Sequence, residues 1–155
     1  RLAQDSRPAR KGPTRPYGCW NYDEHTTNIV IHFVNVYRPE SPFEVKNVTL
    51  TAADLLECLC DARRRYPAAT RVCCGTWLNH ILPFQALFPC SWLEEITDLG
   101  GLGTGLGWWG PYMDRHGAFH HHNAETFRRI GRHPYPATVC DSGLDEAIAH
   151  LEAMT

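Results

Sequence analysis

The stretch that most constrains the fold runs from Asn28 to Leu78. An apolar segment "NIVIHFVNVY" (28–37) is followed by a proline-punctuated loop "RPESPFEVKN" (38–47). Next come an amphipathic run "VTLTAADLLECLCDARRRYP" and a second apolar segment "RVCCGTWL" (71–78). In the first segment Ile29, Ile31 and Phe33 alternate with Val30, Val34 and Val36. Both faces are apolar, which predicts a central strand covered on each side. In the amphipathic run Leu55, Leu56, Leu59 and Ala62 form one helical stripe. Thr51 with Asp54 predicts a capping box, Arg63 to Arg65 suit the negative end of the helix dipole, and Pro67 stops the helix. Residues 71–78 then predict a second strand.

The rest of the chain continues the alternation. Residues 83–89 ("PFQALFP") and 91–97 ("SWLEEIT") predict short helical pieces, the latter with Ser91 and Glu94 as a capping box. "LGWWGPYMD" (106–114) predicts a third strand beside 28–37, interrupted by Gly110 and Pro111, as at an edge or a bulge. Asn123 is placed to cap a helix ending at Ile130, with Gly131 as its terminator. Residues 137–140 suit a last short strand. Ser142 and Asp145 then cap a final helix with Leu144, Ala147, Ile148 and Leu151 facing inward. Strand–helix alternation through the chain predicts one α/β domain over 17–155, with a central sheet of about four strands layered with helices. "YGCWNYDEHTTN", before residue 28, shows no clear period.

Length and charge narrow the class. A chain of 155 residues suits one domain with a core of its own. Residues 1–16 carry Arg1, Arg7, Arg10, Lys11 and Arg15 against Asp5 and read as a flexible basic tail. A net charge of −2 with neutral histidines sets up no global field for nucleic acid or membranes. No apolar run reaches the roughly 18 residues of a membrane span, and no signal-peptide core is visible. Seven cysteines, an odd number with no C-x-x-C pair, suggest a reducing cytoplasmic compartment and mostly buried thiols. The Asn47-Val48-Thr49 sequon then carries little weight. The expected partner is a small-molecule substrate, with neither nucleic acid nor membrane.

Chemistry-bearing residues cluster in three places. In "DLGGLGTGLG" (98–107) the frames that start at Gly101 and Gly103 miss the dinucleotide fingerprint, because Leu106 or Trp108 falls where the third glycine belongs, and no Gly-Lys-Ser/Thr follows for a Walker A pattern. It reads as a structural loop or as a loop that gates a ligand. The chain holds nine histidines. Asp114, His116 and His120 have the donor types of a divalent-metal site, or of a surface loop that picks up metal adventitiously. His32, in mid-strand among apolar neighbours, reads either as a satisfied core histidine or as a general acid/base kept neutral by burial. Around it Asn35, Trp77, Trp108, Trp109 and Tyr112 are candidate substrate-binding residues. Cys74 is a candidate nucleophile, given a neighbour that favours its thiolate.

"NIVIHFVN", the helix around "LLECLCDARRRYP" and "VCCGTWLNHILPFQALFP" together resemble the C-terminal half of bacterial GNAT-type acyltransferase-like proteins, over roughly residues 28–115. The matching residues are Ile31, His32, Gly75, Thr76, Trp77, Leu78 and Phe88. The resemblance implies a GNAT-like half and an acyl-CoA cofactor, whose pyrophosphate turn has its nearest counterpart in residues 98–103. The expected function is that of a small cytoplasmic bacterial enzyme, acyltransferase-like, acting on an organic small molecule with a histidine acid/base. The alternatives are a non-catalytic binding or accessory protein and a His/Asp metal-dependent enzyme. A concave site joining His32, a cysteine and a tryptophan would favour an enzyme. A flat aromatic patch around Trp108, Trp109 and Tyr112 would favour a binding module.

Overall fold

A computed structural model describes residues 16–25, 27–100 and 109–155. The basic tail (Pro16 apart), Trp108 and most of the glycine segment lie outside the described residues.

The chain is mixed α/β. Five strands, β1 (Trp20–His25), β2 (Asn28–Phe33), β3 (Arg71–Thr76), β4 (Thr97–Asp98) and β5 (Thr138–Gly143), form one sheet in the order β1-β2-β3-β5-β4. Only β2 and β3 run parallel; the other neighbours are antiparallel. The register Tyr22↔Ile31, Ile29↔Val72 and Cys74↔Cys140 puts Trp20, Tyr22, Ile29, Ile31, Val72, Cys74 and Cys140 on one face. That face is buried beneath α1 (Val45–Arg65) and the C-terminal helix. Leu55, Leu59 and Ala62 of α1 pack there with Leu144, Ala147, Ile148 and Leu151 in one core.

The opposite face differs from the expectation. His32 and Val34 are exposed and Val30 is half-buried, so among the described residues β2 is fully covered on one side only. Apolar β-branched residues on both faces satisfy the strand preference without requiring two covers. β2 also stops at Phe33, because Asn35 turns the chain: its Oδ1 accepts the Tyr37 N–H and its Nδ2 donates to the Glu40 carbonyl. The neighbour of β2 opposite β3 is β1, in place of 106–114. Residues Gly110–Tyr112 instead form a short 3₁₀ turn with proline in its first turn, where the missing N–H costs nothing.

Several helix starts are also corrected. α1 begins at Val45, so Thr51 and Asp54 lie inside it. The Thr51 hydroxyl donates to the Pro42 carbonyl, while the Thr51 carbonyl accepts the Trp20 indole N–H. Ser91 sits within a 3₁₀ turn, Cys90–Leu93, and donates to Glu146 in place of capping. After the short α2 (Leu82–Gln85), α3 spans His121–Ile130 and is capped by His120, whose Nδ1 accepts the Asn123 N–H. Gly131, at φ 68°, ends it as expected. The last helix, α4 (Leu144–Met154), starts at Gly143 with no side-chain cap; Asp145 and Glu146 in its first turn suit the dipole.

Two polar knots pin these layers. Asn79 is buried and donates to the carbonyls of Cys74 and Thr138, while its Oδ1 accepts the Trp92 indole N–H. Asp61, on α1, accepts hydrogen bonds from Tyr17 (2.6 Å), Tyr22 (2.8 Å) and Arg65 (2.8 Å), and also pairs with Arg64. That carboxylate ties the β1 edge of the sheet to α1.

Candidate functional site

Parallel strands β2 and β3 end side by side, and the chain leaves both ends in loops. A cavity of about 570 Å³ opens there. Its walls come from the β2–α1 loop (residues 33–44), the turn after β3 (Thr76, Trp77, Leu78, Ile81) and the segment Gly110 and 113–115. A crevice at the carboxyl ends of parallel strands is where α/β sheets commonly bind ligands, because the diverging loops leave room between them. The volume lies in the usual range of small-molecule sites, roughly 300–1,000 Å³.

The cavity surface is mainly apolar: Phe33, Val34, Phe43, Trp77, Leu78, Ile81 and Met113. Phe33 and Phe43 are stacked, with ring centroids 5.6 Å apart. Trp77 lies 6.0 Å from the Tyr135 ring on one side and against Gly110 on another. A Cβ added at Gly110 would collide with the indole nitrogen and lie 3.1 Å from Cε2, so the backbone itself braces this wall. The Thr76 hydroxyl accepts the Leu78 N–H, which starts the turn carrying Trp77.

Charge at the cavity is unevenly partnered. Of the three carboxylates among its described lining residues, Glu40 lies 2.9 Å from Lys46 Nζ and Glu44 lies 3.6 Å from it. The third, Asp114, accepts the backbone N–H groups of Ala118 (2.9 Å) and His116 (2.8 Å). These bonds, that from Ala118 foremost, hold its carboxyl below the usual range. The two guanidinium groups, Arg38 and Arg115, are exposed and make no ion pair among the described residues.

The sequence-based candidates divide. Trp77 and Asn35 line the cavity, although both Asn35 polar atoms are committed within the loop. Asp114 lines it too, through a turn rather than a metal cluster. His116 contributes only its backbone, His120 caps α3, and no group of three His, Cys, Asp or Glu side chains converges as a metal site among the described residues. His32 lies outside the cavity, on the uncovered face. Its Nε2 is 2.8 Å from Asp23 Oδ2, and the two side chains are 51% and 68% exposed. The apolar surround expected for His32 is not formed, because the face it shares with Val30 has no second layer among the described residues. Cys74 is buried in the core and burial pushes its thiol up to about 12, so it stays protonated near neutral pH. Trp109 is partly exposed, 5.9 Å from the buried Tyr112, while Trp108 lies outside the described residues.

Sequence reasoning missed Arg38, Arg115, Phe43, Ile81 and Met113. A signal existed for the two arginines: "YRPESP" and "MDRHG" each put a cation in a proline- or glycine-bounded loop, away from helix-spaced carboxylates. A second hollow of about 450 Å³ lies along α3, lined by His122, Glu125, Thr126, Arg128 and Arg129. Its described lining comes from one exposed helix face.

No protein-family model, curated protein or solved structure matches the chain.

Proposed function

We propose that the protein binds a small organic molecule in the cavity at the ends of β2 and β3. The observation that carries this reading is an apolar, tryptophan-walled cavity at the carboxyl ends of two parallel strands, with charged groups at its solvent side. Binding is favoured over catalysis because the candidate acid/base and nucleophile do not meet there. His32 and Cys74 are both outside the lining, and none of the described lining residues is a histidine or cysteine. An acyl-transfer reaction would need a base or nucleophile free to reach the bound molecule, whereas the carboxylates of the described lining are engaged by Lys46 or by backbone N–H groups.

Titration with N-phenyl-1-naphthylamine, a neutral fluorescent aromatic, tests the reading. The expected result is saturable binding at one site in the wild type, with loss in Met113→Trp. Met113 is half-buried in the lining, so the larger ring occupies cavity space without opening the core. Equal binding in the two proteins would show that the dye sits elsewhere and would remove the cavity as the site.

A further inference from the structure

The partners of the charged groups point to the kind of molecule the cavity takes. Among the described residues each carboxylate lining the cavity already has a positive or N–H partner, whereas the guanidinium groups of Arg38 and Arg115 make no ion pair. A ligand that brought a cation would compete with Lys46 for Glu40 and Glu44, and with two backbone N–H groups for Asp114. A ligand that brought an oxyanion would meet donors that no acceptor among the described residues occupies. Guanidinium groups present several N–H donors in a planar fork that matches carboxylate and phosphate oxygens. The two arginines also come from separate walls, Arg38 from the β2–α1 loop and Arg115 from the turn after Met113. The apolar surface of Trp77, Leu78, Ile81 and Met113 lies beside them in the same cavity.

We propose that the ligand is an amphipathic organic acid, with an apolar body against Trp77 and Met113 and a carboxylate or phosphate head taken by Arg38 and Arg115. This rests on the cavity being the binding site. The role of the arginines is recognition at the solvent side, and the cavity needs no chemistry from them.

A matched pair of dyes separates the head from the body. 1-Anilinonaphthalene-8-sulfonate has the aromatic body of N-phenyl-1-naphthylamine plus one anionic sulfonate. Exposed guanidinium–oxyanion pairs are individually weak, so Arg38→Gln with Arg115→Gln should weaken the anionic dye about three- to tenfold. The same double variant should leave the neutral dye within about twofold, which also reports that the protein is folded. In the wild type, raising salt from about 0.05 to 0.5 M should weaken the anionic dye and not the neutral one. Displacement of the anionic dye by 1-naphthoate and by 1-naphthyl phosphate then identifies the preferred head.

An equal response of both dyes to the substitutions, or displacement by neither acid, would overturn the head-group assignment while leaving the cavity standing. Failure of both dyes to bind the wild type would overturn the cavity reading and this proposal with it.

Discussion

Asp61→Asn should weaken the fold in a way that depends on pH, and the magnitude can be worked from its surroundings. The Asp61 side chain is 8% exposed. Burial alone would raise its carboxyl, but hydrogen bonds from Tyr17, Tyr22 and Arg65 outweigh that and hold it at about 2, against an ordinary 3.8. At 1.36 kcal/mol per pH unit, that depression corresponds to about 2.4 kcal/mol. The cover is thin, however: Arg64 and Arg65 are 75% and 61% exposed, so solvent screens their share. A discounted contribution of about 1–2 kcal/mol is the working figure. The sign follows from a folded value below the unfolded one. The contribution is complete above about pH 5 and is lost as pH falls through 4 towards 2. Urea unfolding of wild type and Asp61→Asn between pH 3 and 7 reads the difference directly. Near neutrality the variant should also melt roughly 2–8 °C lower. The gap should narrow steadily below pH 4. A gap of constant size down to pH 3 would refute the reasoning, because the loss would then come from shape rather than charge.

Two further outcomes rest on burial. Asn79→Ala leaves the Trp92 indole N–H and the carbonyls of Cys74 and Thr138 without their partner inside the core, so chemical denaturation should register a loss of about 2–4 kcal/mol; a change under 0.5 kcal/mol would show that these groups find other partners. Iodoacetamide at pH 7.5, followed by peptide mass spectrometry, should label exposed Cys90 well before buried Cys74, whose thiol burial pushes up to about 12; comparable rates would mean that β3 opens readily.

The elements with the clearest period were legible in the sequence. β2, α1 and α4 fall where Ile29–Ile31, Leu55–Leu59–Ala62 and Leu144–Ala147–Ile148–Leu151 put them, because one buried stripe dictates each. β1 went unseen although its signal was present. Trp20 and Tyr22 turn inward and Asn21 and Asp23 outward, an alternation hidden by the polar content of the segment. The reading of 106–114 as a strand followed its apolar residues, but Gly110-Pro111 favours a turn over a ladder. His32 misled for a related reason: its strand neighbours are apolar, yet whether a face is covered depends on elements distant in the chain. The cavity was legible only in part. Asn35 and Trp77 were named, but the site is assembled from three loops that meet through the pairing of β2 with β3, and no local period reports such a meeting.

The contact between Gly110 and Trp77 has an evolutionary consequence. One wall of the cavity is held by main chain against an indole, while much of the remaining lining is side chains on loops. Width and recognition are therefore encoded at different positions. Substitutions at Val34, Arg38 or Arg115 change the chemistry of the lining while the Gly110–Trp77 contact that braces this wall stays the same. Any side chain at position 110 would force the indole to move and reshape that wall. On the binding reading proposed above, single loop changes can thus alter which molecule is preferred, provided that this one glycine is kept.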